Sequence, residues 1–482
     1  MTHAASDRVG PLSARQWAFA LALVTAAAIG DDLLRIPVQV FDALEEILAA
    51  HRSPSVFESF WGATFNAAYF RPLRIAQIKV LFDLADGHYW LVYRGFHALL
   101  LVACLVLFVR ALRVRTATDL AAAAFALAVL TGLNTFRTLI QEAFPINHFL
   151  EIAVFSLAAL NLAQSARRVW NDVAAVALFA AATLTIESGV LVWVVVASAW
   201  LCGLRGISTR GLVVMTALLG AYFYVRFVTL AVGMPTLEER SSGYLFEVLE
   251  PRELEARFGQ RLWWFRGYNI AASALSVLFS EPRSGVFAIT RSWMEKQVVA
   301  HQVIALVSST LTTGLIAVAT VRWARRKGLA AASAADEATP LLGVCGAVLA
   351  ASAVLSFAYT KDDIMSTAGV FYALAAYVAV RSAIAALAAR RWVATVAVVA
   401  LLFLTGVTWS VRSIGIHHIA SAAAFKTRND WAFQPGRWQR EGRWPTRVDE
   451  QRLLQRLRAE AIAMPVPNPR FDARWADRVW GD

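Results

Sequence analysis

The sequence predicts an all-α, polytopic membrane protein of about eleven transmembrane helices, with amphipathic helices in its first extracytoplasmic loop. Three observations carry this. The 482 residues are 58% hydrophobic and only 17% charged, with a mean hydropathy of +0.53. Soluble domains rarely combine these values, whereas each bilayer span needs roughly 20 apolar residues. The apolar residues fall in long runs separated by short polar stretches. The net charge of +12 sits in short arginine clusters between those runs, which fits cytoplasmic loops better than a nucleic-acid footprint. Cys104, Cys202 and Cys345 all lie inside apolar runs, so no disulfide framework is expected.

Arg8 and Arg15 precede an apolar run from about Trp17 to Gly30, and Asp31-Asp32 follow it. That asymmetry places the N-terminus in the cytoplasm and makes the run a retained first span. Its Thr25-Ala26-Ala27-Ala28 stretch imitates a signal-peptide cleavage region, but many further spans follow. The first loop runs from Asp31 to about His88. Phe41, Leu44, Ile47 and Leu48 recur at helical spacing and predict a helix lying on the membrane surface. Pro72 suits the first turn of another helix. Ile75, Ile78, Phe82 and Ala85 continue its face, and Gly87 ends it.

The second span covers about Tyr89 to Phe108 and is followed by Arg110, Arg113 and Arg115. Spans three to seven run from about Leu120 to Leu133, His148 to Ala163, Val173 to Ile186, Gly189 to Leu204 and Leu212 to Val232. Arg167-Arg168, Arg205 and Arg210 mark inner ends, while Glu142, Glu187 and Arg226 stand at outer ones. A polar segment rich in Arg, Glu and Trp occupies 233–296; its apolar stretch from Ile270 to Phe279 is too short to span and reads as re-entrant or interfacial. Spans eight to eleven run from about Val298 to Val321, Leu341 to Ala358, Met365 to Leu387 and Val393 to Trp409. Arg322, Arg325, Arg326 and Lys327, then Arg390-Arg391, mark further inner ends, and 328–340 reads as a small-residue cytoplasmic loop. Residues 1–411 thus form a transmembrane domain, and 412–482 a small extracytoplasmic tail rich in Trp and Arg, which reads as a small cap packed on the outer loops, or alternatively as a surface for sugars or anionic headgroups. The tail is basic yet outside, which is tolerable because long hydrophilic segments cross largely regardless of charge.

In this topology the polar groups least suited to lipid gather on one face. They are Asp31, Asp32, Arg71, Arg74, Glu142, His148, Glu187, Arg226, Lys361, Asp362 and Asp363. Taken singly, each also reads as an ordinary solvated span end. Collectively they are harder to dismiss, since ionisable groups at membrane depth are costly and mark function. No metal-ligand spacing is evident: His417-His418 are adjacent, which is a weak signal and reads as interfacial. Asp31, Asp32, Asp362 and Asp363 are together suited to a divalent cation, but sequence shows no geometry for one. No glycine-rich phosphate loop appears, so neither ATP nor a nucleotide sugar is supported, and no cofactor is expected.

Asp31-Asp32 after the first span, Phe60-Trp61-Gly62, and Tyr69-Phe70-Arg71-Pro72-Leu73 at the end of the loop stand in a telling order. The order resembles that in the integral-membrane glycosyltransferases of the GT-C superfamily, in particular bacterial relatives of the tetratricopeptide-bearing transmembrane O-mannosyltransferases. His97 also fits. Glu187-Ser188-Gly189-Val190 looks like that group's Lys-Glu segment, with Ile186 in place of the lysine, and Tyr224-Val225-Arg226 like its aromatic-x-Arg segment. The likeness covers roughly Arg15 to Val232. Two departures stand out: the family's His-Pro segment appears only as Ala143-Phe144-Pro145-Ile146-Asn147, and no tetratricopeptide array follows the last span.

The resemblance implies a multi-pass protein of the bacterial inner membrane whose active site faces the periplasm or outside. It would move a sugar from a polyprenyl-phosphate donor to an extracytoplasmic acceptor hydroxyl on a glycan, lipid or protein, with the bilayer and the lipid-linked donor as partners and no nucleic acid. The leaving phosphate needs positive charge rather than a strong acid. Arginine's planar fork suits it, which favours Arg71, helped by Arg226 and Lys361, with Arg74, Glu187 and Asp362 completing the substrate site. The alternative for Arg71 is a snorkelling side chain or a partner for Asp83. Asp31 or Asp32 would take the acceptor's proton, inverting the anomeric centre. For that pair the alternative is a topology signal or helix cap. Two other classes stay open: a transporter or flippase of lipid-linked sugars, and a non-catalytic component of envelope-polysaccharide assembly.

Overall fold

The computed structural model describes residues 8–9, 12–36, 44–66, 69–141, 145–230, 241–243, 246–280, 286–327, 339–387, 392–432, 439–440, 442 and 445–464. Glu142, Ala143, Phe144, Phe41, Arg390, Arg391 and the tail residues Trp438, Trp444, Trp475 and Trp480 lie outside them, as does the loop 328–338. Among the described residues the chain is helical almost throughout. The strands are two short antiparallel pairs, Arg8–Val9 with Leu12–Ser13 and Ser241–Gly243 with Phe246–Leu249.

Helix α1 (Ala14–Leu34) starts at Ser13, whose side chain and Gln16 cap it reciprocally. The first loop then folds into α2 (Leu44–Arg52), α3 (Val56–Asn66) and α4 (Pro72–Ala85), before α5 (Tyr89–Leu112) returns through the bundle. Ala14, Ala18, Ala22 and Ala26 are buried at four-residue spacing on α1, which packs against α5. Such a small-residue stripe lets two backbones approach closely. Pro72 takes the first position of α4, where its missing N–H is no loss. Asp86, in the left-handed region at φ 41, closes that helix just before Gly87.

The chain continues through α6 (Ala117–Thr131), α7 (Asn134–Gln141), α8 (His148–Gln164), α9 (Val169–Thr185), α10 (Val190–Leu201) and α11 (Thr209–Tyr224). After α12 (Pro251–Phe258), α13 (Leu262–Leu278) and α14 (Val286–Met294) come α15 (Ala300–Lys327), α16 (Pro340–Leu355), α17 (Ser366–Leu387), α18 (Trp392–Ala432) and α19 (Val448–Ala463). Six helices are long and apolar enough to cross a membrane: Ala14–Leu34, Tyr89–Leu112, Thr209–Thr229, Ala300–Arg325, Ser366–Leu387 and Thr395–Phe425. The pair α6 and α7, bent by 69°, would add a seventh, and α8, α9, α10 and α16 are shorter apolar helices. This is the build of an all-α membrane protein. The three cysteines are free thiols.

Helix α17 sits at the centre. Every residue from Ser366 to Val380 is buried, as expected of a helix that is apolar all round. Gly369 allows its closest approach: a Cβ there would stand 2.2 Å from Thr135 Oγ1 on α7.

One stretch differs from expectation. Leu44, Ile47 and Leu48 of α2 are buried, but under protein rather than lipid, in a cluster with Ile78, Leu81, Tyr89 and the Leu453, Leu454 and Leu457 side chains of α19. The tail supplies an apolar partner that the loop sequence alone does not reveal. Around Ile270 the helix α13 runs from Leu262 to Leu278 and packs against α16; it is not among the helices long and apolar enough to cross a membrane.

The tail is carried back to the first loop by α18. Its 41 residues make about 60 Å of helix, roughly twice the thickness of a hydrocarbon core. At its far end the Ala432 carbonyl accepts from Arg458 Nε. Helix α19 then reaches the first loop through Arg52, which donates to Glu450 at 2.6 and 3.0 Å, and through Glu460, which accepts from the Trp90 backbone at 3.2 Å. The tail helix and the first loop therefore lie at the same end of the bundle.

Candidate functional site

The polar cluster at that end is built around Glu187. The carboxylate stands on a single 3₁₀ turn, Glu187–Gly189, where the chain reverses between α9 and α10. The turn presses on the last coil of α9 so closely that a Cβ on Gly189 would fall 2.2 Å from the Ala182 carbonyl. Only glycine fits there, and its presence sets where Glu187 stands.

Two arginines from opposite sides close on this carboxylate. Arg71 Nη2 lies 2.6 Å from Oε2, and Arg71 Nε lies 3.0 and 3.1 Å from the two oxygens. Arg226 Nη2 lies 3.1 Å from Oε1. Arg71 precedes Pro72, a position disfavoured in the helix, so it stands just outside α4. Arg226 sits in a π-turn, Val225–Thr229, that widens the end of α11, closed by Leu230 N donating to Val225 O at 2.9 Å. Such turns re-aim side chains and are frequent at functional sites. Arg226 Nη1 also donates to the Tyr222 hydroxyl at 2.8 Å, whose ring lies beside Phe70.

One turn into α4, Arg74 pairs with Glu46 of α2 at 2.5 Å. It also lies near enough to His148 and Glu151 to act on both electrostatically. Those two form a buried pair, His148 Nδ1 to Glu151 Oε2 at 2.8 Å, and Gln77 Nε2 donates to the other oxygen at 3.0 Å. Burial works against the charged form of both arginines. For Arg74 it wins, and the pKa stands below the ordinary arginine value despite Glu46. For Arg71 the Glu187 carboxylate outweighs it, and the pKa stands above that value. Around Glu187 itself, the two guanidiniums of Arg71 and Arg226 leave one positive charge in excess, and Arg74 is balanced by Glu46.

The cluster is not sealed. The Arg71 and Glu187 side chains are 23% and 25% exposed, whereas Arg226 is 4% exposed. Arg71 uses Nε and Nη2 for Glu187, so its Nη1 edge is outside the fork. The Tyr69 ring lies 4.4 Å from the guanidinium carbon, a cation–π contact that further fixes its plane.

The expected site residues therefore fall into three places. Arg71, Arg74, Glu187 and Arg226 are brought together. Asp31 and Asp32 end α1, where Asp31 pairs with Arg35 at 3.1 Å and Asp32 is exposed. They are tied to the same end of the bundle through Ile36, whose carbonyl accepts from Arg94 at 2.9 Å. Arg94 touches His97, which shares the Leu139 carbonyl with Asn147. Lys361 and Asp362 form a turn beside Ser242: Thr360 N donates to Ser242 O at 3.2 Å, and Asn269 bridges that oxygen to Phe357 O. Neither the acid pair nor Lys361 is a partner of Arg71, whose contacts are Glu187 and Tyr69. Asp83 is not one either, being paired with Lys79 at 2.7 Å.

Glu46, Tyr222, Gln77 and Glu151 complete the cluster, though no motif in the sequence marks them. Glu151 had a signal: a carboxylate three residues into an apolar run after His148, where an ionisable group is costly. Among the described residues no group of three or more His, Cys, Asp or Glu side chains is placed to hold a metal ion. No protein-family model matches the chain, and no curated protein or solved structure matches it either.

Proposed function

We propose that the chain is a membrane glycosyltransferase of the GT-C type, moving a sugar from a polyprenyl-phosphate donor to an acceptor outside the cytoplasm. The reading rests on the resemblance in the first half of the sequence. The observation that carries it furthest is the Arg71–Glu187–Arg226 knot, which unites three positions that the resemblance nominated one by one. Six helices are long and apolar enough to cross and the bent pair would add a seventh; counting the four shorter apolar helices as crossings as well, we read eleven. On that count, and with the N-terminus in the cytoplasm, the knot, the acid pair and the tail helix would lie outside.

In this reading Glu187 is a positioning residue. It holds the guanidinium planes of Arg71 and Arg226 and cancels one of their charges, so the cluster keeps a single net positive charge. The Nη1 edge of Arg71 meets the donor phosphate and stabilises the charge that develops as the glycosidic bond breaks. Asp31 or Asp32 takes the proton of the acceptor hydroxyl, and the anomeric centre inverts. Phe223, Tyr224 and Phe227, exposed around Arg226, offer an apolar approach for the isoprenoid chain.

The bent α6–α7 pair favours a second reading, a transporter of lipid-linked sugars, since broken helices line transport sites near the midplane. Donor binding and turnover separate the two. Purified protein in lipid nanodiscs should bind a polyprenyl-phosphate sugar and release its sugar to an envelope fraction. Arg71→Ala should weaken donor binding tenfold or more, and Arg71→Lys should recover part of it, because a point charge replaces a fork. Unchanged donor affinity in the Ala variant would remove Arg71 from the site, and movement of intact donor between leaflets without sugar release would favour transport.

A further inference from the structure

A groove of about 860 Å³ opens at the opposite end of the bundle, between α5, α8 and α9. Its shape follows from three local choices. Ala158 on α8 and Ala174, Ala177 and Ala181 on α9 are small residues in its lining, so a trough stays open between the helices. Asn161 on α8 donates to the Leu107 carbonyl of α5 at 3.0 Å, which holds the far wall in place. Asn171 donates to Ser165 Oγ, Ala166 O and Gly206 O, each at 2.9 Å, and so fixes the α8–α9 turn at the mouth.

The mouth and the trough differ in chemistry. Arg110, in the last turn of α5, and Arg168, the residue capping α9, are both exposed at the mouth. The lining contains no carboxylate, and neither arginine is in an ion pair among the described residues. From Arg168 to Ala181 the α9 wall extends for about 20 Å, more than half the hydrocarbon thickness. The volume falls within the range of about 300–1,000 Å³ typical of sites for small molecules. Arginine clusters of this kind mark the cytoplasmic end of a span, where the leaflet carries anionic lipids.

We infer that this groove is a binding site for one anionic phospholipid of the cytoplasmic leaflet, with an acyl chain in the alanine trough and the phosphate between Arg110 and Arg168. An apolar trough alone would accept any lipid; the two arginines in its lining select for negative charge. The site is separate from the Arg71 cluster and does not depend on the glycosyltransferase reading.

The test is native mass spectrometry of the full chain in neutral detergent, with dioleoyl-phosphatidylglycerol and dioleoyl-phosphatidylcholine as competing probes. The expected result is a single retained phosphatidylglycerol, bound at least tenfold more tightly than phosphatidylcholine. Arg110→Gln with Arg168→Gln should abolish that preference. Ala177→Trp, which fills the trough and leaves both charges, should reduce binding of both lipids. Val213→Trp, on an exposed face of α11, should change neither. Equal retention of the two lipids by the unmodified protein would overturn the inference, as would unaltered phosphatidylglycerol binding in both the double variant and Ala177→Trp.

Discussion

Arg71 and Glu187 are 116 residues apart in sequence, yet the guanidinium Nη2 lies 2.6 Å from the carboxylate Oε2, and Nε lies 3.0 Å from the same oxygen. With Arg226 on the other oxygen, one carboxylate holds together the end of the first loop, the α9–α10 reversal and the end of α11. Removing it would leave two largely buried cations without their partner. Glu187→Ala should therefore destabilise the protein by about 3–5 kcal/mol. Thermal unfolding in detergent measures this, and a melting temperature within a degree of the unmodified protein would show that the knot is not structural.

The Gly189 turn gives a second expectation. A methyl group at that position meets the Ala182 backbone at 2.2 Å, so Gly189→Ala must push the turn away and take Glu187 with it. Overpacking of this kind costs about 1–3 kcal/mol. The same variant should also lower affinity for the donor, because Arg71 loses its positioning partner. Normal stability together with normal donor binding would show that the turn tolerates the methyl group.

Much of this architecture was legible in the sequence, and the reasons divide cleanly. Apolar runs and arginine clusters located the helices because length and hydropathy are local properties. Arg71, Arg74, Glu187 and Arg226 were singled out one at a time, from motif order and from their places at span ends. That Arg71 meets Glu187 rather than Asp83 depends on how α4 packs beside α9, which no local pattern records. Glu46, Tyr222 and Gln77 escaped for the same reason, since each looks like an ordinary loop or span-end residue. That the tail caps the outer loops is legible in its composition, but the docking partner of α19 is not, because its apolar stripe of Leu453, Leu454 and Leu457 fits any amphipathic helix.

That docking should depend on pH. The Arg52 hydrogen bond holds the Glu450 carboxyl below its ordinary value, and the Asp449 carboxyl, which accepts from its own backbone and faces His51 and Arg447, is lowered too. A carboxyl whose pKa is depressed in the docked state favours docking above the ordinary value of about 4.3 and loses that contribution as pH falls through the depressed one. Energy transfer between labels at Ser55 and Gln455 should therefore be constant from pH 8 to about 5 and decline in more acidic solution. Glu450→Gln should weaken docking at neutral pH and flatten the acid response. A signal independent of pH in the unmodified protein would show that apolar packing alone holds α19.

Cysteines introduced at Gln455 and Arg52 should react with an impermeant maleimide from one side of the membrane, and a cysteine at Arg168 from the other. Helix α19 and the first loop share an end of the bundle, so labelling of 455 and 52 from opposite sides would contradict the fold itself. Labelling of both from the cytoplasm would instead invert the proposed topology.

The most direct test of the central proposal is turnover by the acid pair. Neighbouring positions on a helix point about 100° apart, so the two carboxylates are not equivalent, and Asp31 is the first choice for the base. The measurement is sugar transfer from a matched polyprenyl-phosphate donor to its acceptor by the reconstituted protein, compared with Asp31→Asn, Asp32→Asn and the double variant. Asp31→Asn keeps the shape and removes the basicity. It should slow transfer by about a hundredfold or more while donor binding persists, and Asp32→Asn should cost less. Near-normal transfer in both single variants and the double variant would contradict the proposed role of this loop in catalysis.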